Sequence, residues 1–132
     1  MRGARPGKIV TPAPVTAVPP APSWLSKEAK AEWKRVAPIL VDERRTLTEA
    51  DLPTLAAYCA AFGQLQEACR ILASEGLTYR TEAGIPKPHP AAKLRHDAMT
   101  QLRQLGSELG LTPVSRSRPT MRDSEDDDSL LD

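Results

Sequence analysis

The chain has 132 residues, which leaves room for one small domain with a single core, because folded domains cluster at roughly 100 to 150 residues. Six of its seventeen acidic residues lie in the last ten positions, so residues 1–122 carry a formal charge of +7, a sign that attracts polyanions such as DNA. No apolar run approaches the roughly 20 residues that span a bilayer, and residues 1–8 lack the apolar stretch of a signal peptide. We therefore expect neither a membrane-spanning nor a secreted protein, and we expect the protein to stay inside the cell that makes it.

Residues 1–22 are predicted to form a flexible, Pro-rich basic arm. Six prolines fall between Pro6 and Pro22, and the segment has hardly any large side chains whose burial would offset the entropy cost of ordering it. Its basic residues can contact DNA phosphates, although a disordered leader without such a role has the same composition. These basic residues are Arg2, Arg5 and Lys8.

The first helix is predicted to begin at Ser26, which suits the N-cap position. Pro38 is expected to kink or end this helix near Ala37, because proline removes a backbone donor and clashes with the preceding turn. Its apolar positions with helical spacing are Ala29, Trp33, Val36, Ala37 and Leu40. Its opposite face is basic and carries Lys27, Lys30, Lys34 and Arg35.

The second helix is predicted to begin after the charged connector 42–45. Thr48 and Asp51 have the spacing of a capping box, and Gly76 suits the position just after the last turn. Its apolar series is Leu52, Leu55, Cys59, Phe62, Leu65, Cys69 and Leu72. The two cysteines would lie about 15 Å apart along this helix, too far for a disulfide, which predicts two reduced core thiols.

A loop or a short two-strand hairpin is predicted for residues 77–90, where apolar and polar residues alternate weakly and a turn falls at Ala83–Gly84. The third helix follows over residues 91–109, and Gly110 is expected to end it. Residues 114–132 are rich in Ser, Arg and acidic side chains and show no apolar periodicity, so they are predicted to be disordered.

The predicted fold is therefore all-α, with three main helices of which the first two form a helix-turn-helix-like pair. The domain boundaries are an arm at 1–22, a helical domain at 23–113 and an Arg/Ser-rich, then acidic, tail at 114–132. A leucine pair among carboxylates suits docking on a basic groove of a partner, although a solubilising tail has the same composition. The candidate partner-binding residues of the tail are Asp126, Asp127, Asp128, Leu130 and Leu131.

No catalytic or metal-binding pattern is present in the sequence. It contains neither a Gly-rich loop ending in Gly-Lys-Ser or Gly-Lys-Thr nor a Gly-x-Gly-x-x-Gly motif. His89 and His96 have no cysteine or carboxylate at metal-site spacing, and both cysteines fall in the body of a helix without a histidine to activate them. The sequence therefore predicts a binding protein that is not an enzyme and needs no cofactor or metal.

Double-stranded DNA is the partner that the basic part of the chain favours, through contacts between basic side chains and phosphates. An ordinary helix face with many salt bridges is an equally good interpretation, since Glu28 and Glu32 lie near the lysines of the first helix. The candidate DNA-binding residues are Lys27, Lys30, Lys34, Arg35, Arg44, Arg45, Arg116 and Arg118.

A series of short motifs resembles the small terminase subunits of cos-type tailed phages and prophages. The most specific motif is Leu109-Gly110-Leu111-Thr112-Pro113-x-Ser115-Arg116, and the resemblance extends over residues 20–118. The other motifs are Pro20-Ala21-Pro22-x-Trp24-Leu25, Trp33-x5-Ile39-Leu40, Leu47-Thr48-x2-Asp51, Tyr58-Cys59, Gly76 and the loop with Gly84 and Pro90. One departure is His89 before Pro90, where the resemblance leads us to expect Asn.

The resemblance implies an all-helical protomer that assembles into a homo-oligomeric ring and acts in the cytoplasm of the infected bacterial host. It also implies that the ring binds the viral genome near its packaging start and regulates or recruits the terminase large subunit, which holds the ATPase and the nuclease. Candidates for packing in the core or between subunits, which the sequence does not separate, are Trp33, Phe62, Leu65, Leu94, Leu102 and Leu105.

Two other functions fit the same features. One is a helix-turn-helix transcriptional regulator that binds a palindrome as a dimer, although its recognition helix is usually short and polar on its outer face, whereas the predicted second helix is long. The other is a structural virion component such as a head-completion protein, which would not be coupled to an ATPase.

Overall fold

The computed structural model describes residues 13–117. Its helical elements are α1 (Lys27–Pro38), a π-helical turn (Ile39–Glu43), a 3-10 turn (Glu49–Asp51), α2 (Leu52–Glu75), α3 (Pro90–Glu108) and α4 (Pro113–Ser117). Between α2 and α3, the strands β1 (Thr78–Arg80) and β2 (Pro86–Pro88) pair antiparallel as a hairpin. The three predicted main helices are confirmed, and the hairpin adds a small two-stranded sheet to a mostly helical protein. None of the helices within residues 13–117 is long and apolar enough to cross a membrane.

The limits of α1 follow from its sequence. The Ser26 hydroxyl accepts a hydrogen bond from the Ala29 amide at 3.2 Å, which is the predicted N-cap. Pro38 is the last α-helical residue, because its nitrogen has no hydrogen to donate to the preceding turn. The chain then widens into the π-helical turn, in which the Arg44 amide donates to the Ile39 carbonyl five residues back at 2.9 Å.

The start of α2 is fixed by the predicted cap. The Asp51 carboxylate accepts hydrogen bonds from both the amide and the hydroxyl of Thr48, each at 2.9 Å. The first turn is 3-10, and α2 proper continues from Leu52 to Glu75. At Gly76 the backbone takes a φ of 87°, a conformation that favours glycine, and α2 ends there as predicted.

The segment between α2 and α3 is the hairpin, one of its two predicted alternatives. Tyr79 pairs with Lys87 at the centre of the register. The Thr81 amide donates to the Ile85 carbonyl at 3.0 Å, and Gly84 completes the turn with a φ of 78°. The turn thus falls where the sequence predicts it.

The third helix agrees with its predicted limits to within one residue. The His89 imidazole caps its first turn, since Nδ1 accepts a hydrogen bond from the Ala91 amide at 3.0 Å, and Pro90 occupies the first helical position. After Glu108 the chain turns away at Gly110, whose φ is 72°.

The core lies along α2, which packs against both α1 and α3. The α1–α2 contact is the more deeply buried of the two, and the turns that follow α1 extend it. Its largest fully buried side chains include Val36, Leu40, Leu47, Leu55 and Cys59. The contacts of α3 are shallower, because Leu102 and Leu105 of α3, and Leu109 directly after it, pack against this core while staying partly exposed.

Two contacts define the direction of the helices. Glu28, at the start of α1, lies 3.0 Å from Arg70 in the second half of α2, and Arg44, after α1, donates to the carbonyl of Gly110, after α3, at 2.8 Å. Both α1 and α3 therefore run opposite to α2. We call the end with the start of α1, the end of α2 and the hairpin the hairpin end, and the opposite end, with α4, the tail end.

Residues 13–22 differ from the predicted flexible arm. The Val15 amide donates to the Leu47 carbonyl at 2.8 Å, and the Trp33 indole N–H donates to the Pro19 carbonyl at 3.0 Å. A proline-rich chain buries little surface, but its carbonyls remain good acceptors, and here one of them satisfies a buried indole. The prediction of an arm is thus wrong for these residues, and residues 1–12 lie outside the described part.

Residues 114–117 also differ from the predicted disordered tail, because Pro113–Ser117 forms the short helix α4. The Thr112 hydroxyl accepts from the Ser115 amide at 3.1 Å, and the Ser115 hydroxyl accepts from the Thr112 amide at 3.2 Å. Pro113 sits at the first position of this helix, where its missing N–H costs nothing. A reciprocal cap therefore orders the segment, while residues 118–132 lie outside the described part.

The two cysteines have different surroundings. Cys59 is fully buried in the core, whereas Cys69 is exposed on the surface of α2. The prediction of two core thiols is therefore wrong for Cys69, because the apolar series of α2 is wider than the surface that its neighbours cover.

Candidate nucleic-acid interface

Three of the predicted DNA-binding residues lie on one side of α1. Lys27, Lys30 and Lys34 follow one another at intervals of three and four residues, and all are exposed or partly exposed. Within residues 13–117, no ion pair includes any of these three lysines. Their charges are therefore available to an anion in solution.

The two carboxylates of α1 pair with arginines and not with the lysines. Glu28 contacts Arg70 across the α1–α2 interface, and a backbone hydrogen bond together with this arginine lowers the pKa of Glu28. Glu32 accepts hydrogen bonds from Nε and Nη2 of Arg35, the second at 2.9 Å. Among the four basic residues predicted on this face of α1, Arg35 therefore forms a salt bridge and the three lysines form none with the described residues. The ion pair of Arg70 was not predicted from the sequence, because its partner Glu28 lies on another helix.

Glu32 is a buried carboxylate at the centre of a polar cluster. Glu32 is 2% exposed. In addition to the hydrogen bonds from Arg35, its carboxylate accepts one from the Tyr58 hydroxyl at 3.2 Å. Burial first, and then the charge of Glu32, raises the pKa of Tyr58 to about 12 and that of Cys59 to about 12. The hydrogen bonds that Arg35 donates to Glu32 likewise raise the pKa of Arg35. The cluster thus keeps the Cys59 thiol protonated, which makes it a poor nucleophile.

The spacing of Glu32 along α1 indicates a buried position, which was not predicted from the sequence. It lies three residues after Ala29 and four before Val36, which puts it on the buried face of α1. A carboxylate at such a position requires partners, because an unpaired buried charge is costly.

The structure brings two other candidates together at the tail end. Arg44 and Arg116 line one cleft of about 540 Å³, and each donates a hydrogen bond to a backbone carbonyl, of Gly110 at 2.8 Å and of Leu111 at 3.4 Å. The remaining lining residues are Leu40, Thr46, Leu47, Asp51, Glu108, Leu109, Gly110 and Ser115. Two carboxylates on the same cleft offset the two guanidinium charges, so this end is less basic than its arginines suggest.

Arg45 lies beside a separate cleft of about 490 Å³ that residues 14–16 also line. It has a φ of 53°, an uncommon value for a residue with a side chain, and it lies between the π-helical turn and Leu47. Arg118, the last DNA-binding candidate, lies outside the described residues.

The packing candidates occupy different environments. Trp33 is buried in the core, and Phe62, Leu65, Leu102 and Leu105 are partly buried. Leu94 is 60% exposed, so within a single chain it is a surface residue. The tail candidates Asp126, Asp127, Asp128, Leu130 and Leu131 lie outside the described residues.

Within residues 13–117, no group of three or more His, Cys, Asp or Glu side chains is arranged to hold a metal ion.

Comparison with known proteins identifies the family. Residues 29–126 match the family model described as phage terminase, small subunit. No curated protein and no solved structure matches the chain. The matched range covers most of the sequence, from the third residue of α1 through α2, the hairpin, α3 and α4, and agrees with the motifs noted in the sequence. The chain therefore belongs to the phage terminase small subunit family.

Proposed function

We propose that this chain is the non-catalytic small subunit of a phage DNA-packaging terminase, which binds viral DNA and regulates or recruits the large ATPase and nuclease subunit. The observation that carries the proposal is the row of three lysines on α1, free of ion pairs within residues 13–117, in a chain of this family. On this proposal the protein acts in the cytoplasm of the infected bacterial host.

DNA binding on this proposal is dominated by phosphate contacts. Lysine side chains displace the counterions of the DNA backbone, which makes affinity depend steeply on salt and little on base sequence. We further propose that the protomers form a homo-oligomeric ring, because repetition of a weak contact raises the overall affinity without any new contact in one protomer. The exposed Leu94 is a candidate for contacts between neighbouring subunits.

A dimeric transcriptional regulator is less well supported. The second helix of the helix-turn-helix-like pair, α2, is 24 residues long and contributes buried residues from Leu55 to Leu72. A recognition helix is usually short and polar on its outer face, which fits poorly with a 24-residue helix that packs against both α1 and α3. A head-completion protein remains distinguishable by experiment, since it would not stimulate the ATPase of a large subunit.

The test of the proposed DNA contact is the salt dependence of binding. Replacing Lys27, Lys30 and Lys34 together by Gln is expected to reduce the slope of log affinity against log salt by about 0.9 for each lysine that contacts a phosphate. Replacing the same three by Arg preserves the charge and is the matched control, for which we expect the slope to stay. Fluorescence anisotropy with labelled double-stranded DNA measures both variants. If binding by the unaltered protein failed to weaken between about 50 and 200 mM salt, the phosphate-based proposal would be wrong.

A further inference from the structure

The hairpin projects from the helical body at the hairpin end. All six residues of β1 and β2 are exposed, and neither strand packs extensively against a helix. Its base is held firmly, because the His89 amide donates to the Leu77 carbonyl at 2.8 Å and the His89 ring contacts the Glu75 carboxylate at 2.5 Å. A two-stranded hairpin alone is only marginally stable in water. The exposed surface of this anchored ribbon is therefore available for contact with a partner.

The two edges of the ribbon are not equivalent. The cross-strand hydrogen bonds of Leu77 with His89 and of Thr81 with Ile85 place the backbone nitrogens of Pro86 and Pro88 on the outer edge of β2. Proline has no N–H, so this edge cannot donate hydrogen bonds to an added strand. The prolines therefore oppose extension of the sheet by another protein chain along β2.

The side chains of the ribbon and of the first turns of α3 are mostly basic. Residues 78–96 contain four basic side chains and one acidic one, a formal charge of +3 in a chain whose total is +1. Tyr79 and Lys87 are directly opposed and so point to the same face, while Arg80 points to the other. The basic residues of this segment are Arg80, Lys87, Lys93 and Arg95. Both faces of the ribbon therefore carry a cationic side chain.

The ribbon lies at the same end of the molecule as the start of α1. Arg70, which pairs with Glu28, precedes Glu75 by five residues of helix, or about 7.5 Å along the axis of α2. Lys27 is adjacent to that pair in sequence, so the first lysine of α1 and the base of the hairpin belong to one end of the protein. The basic charge of the hairpin thus adds to the α1 surface.

We infer that the hairpin is a second DNA-contacting element, a two-stranded ribbon that enters a groove of double-stranded DNA. This inference rests on the proposed function. A ribbon of this type fits the major groove, which is about 12 Å wide, and exposure on both faces allows contacts to both sides of the groove. Lys87 and Arg80 contact phosphates, and the Tyr79 hydroxyl supplies a further donor. The exposed apolar side chains of Leu77 and Ile85, at 57% and 55%, suit the alternative of a contact between subunits, which the experiment distinguishes.

The experiment compares single substitutions in the full chain. Lys87→Gln and Arg80→Gln each remove one exposed charge from the ribbon, and Arg103→Gln removes one exposed charge from α3 outside the ribbon, as the matched control. With labelled double-stranded DNA, we expect Lys87→Gln to lower the slope of log affinity against log salt by at least about 0.9 and Arg103→Gln to leave it unchanged. Lys87→Arg is expected to restore the slope. Native mass spectrometry of each variant reports the number of subunits.

Two results would overturn the inference. If Lys87→Gln and Arg80→Gln left the slope unchanged while the substitution of the three α1 lysines reduced it, the hairpin would not contact DNA and the proposed function would stand. If the ribbon substitutions changed the number of subunits, the hairpin would be a contact between copies of the chain. Failure of the unaltered protein to bind DNA would instead contradict the proposed function itself.

Discussion

His89 has two roles at the junction of the hairpin and α3. Nδ1 accepts a hydrogen bond from the Ala91 amide, so this nitrogen carries no proton, and Nε2 is left to donate to Glu75. The family resemblance leads to Asn at this position, and Asn is among the best N-cap residues. The imidazole thus replaces one capping acceptor by another, which explains why the departure leaves the local fold intact.

The capping role predicts different effects for two substitutions of His89. His89→Ala removes both interactions and is expected to lower the free energy of unfolding by about 1 kcal/mol. His89→Asn restores the cap without the contact to Glu75 and is expected to recover most of that loss. Urea denaturation followed by circular dichroism measures both. Equal destabilisation by Asn and Ala would mean that the Glu75 contact, and not the cap, stabilises this junction.

At the scale of the elements, a glycine sets the distance between α1 and α2. A Cβ atom on Gly63 would lie 2.7 Å from the Ser26 hydroxyl oxygen and 3.3 Å from the Ala29 Cβ, so the cap of α1 packs directly on the backbone of α2. Gly106 of α3 is different, because a Cβ there would meet only Tyr58, at an ordinary 3.6 Å. The same substitution therefore has opposite consequences at the two sites.

Gly63→Ala is expected to destabilise the protein by about 1 kcal/mol, because overpacking costs about 1 to 3 kcal/mol and the gain in helix propensity returns about 1. Gly106→Ala is the matched control and is expected to raise stability by up to about 1 kcal/mol, since it gains propensity without a clash. Thermal unfolding of the two variants compares them. A rise in melting temperature for Gly63→Ala would show that α1 can move away from α2 without cost.

At the scale of the whole molecule, charge is divided between a basic body and an acidic segment. Residues 1–122 carry +7 and residues 123–132 carry −6, so the near-neutral total conceals two segments of opposite charge. In the proposed terminase, the acidic segment either competes with DNA for the basic surface or contacts the large subunit. The two roles differ in what removal of the segment changes.

Deletion of residues 123–132 is expected to raise affinity for DNA at low salt if the acidic segment screens the basic surface, and this gain should shrink at high salt as charges are screened. If the segment contacts the large subunit, its deletion should instead reduce stimulation of the ATPase. A chain with the six acidic residues replaced by their amides is the control that keeps length and the leucine pair. Both roles are wrong if neither affinity nor stimulation changes.

The three main helices and their ends could be predicted from the residue pattern alone. Apolar spacing, the caps at Ser26 and Thr48, and the glycines at 76 and 110 are local signals, because each acts within one or two turns of the chain. The family motifs are local in the same sense, and the family match agrees with them. Three main helices and the family could therefore be read without a structure.

Which helix faces are covered, and which charged side chains meet, depends on how the helices pack. α2 packs against helices on two sides, and its apolar series is broad. The series alone therefore does not indicate that Cys59 is buried and Cys69 exposed. The pairing of Glu28 with Arg70, the meeting of Arg44 and Arg116 in one cleft, and the docking of residues 13–22 join parts of the chain far apart in sequence. Such contacts depend on how the helices pack against one another, and spacing within a single helix carries no information about that packing.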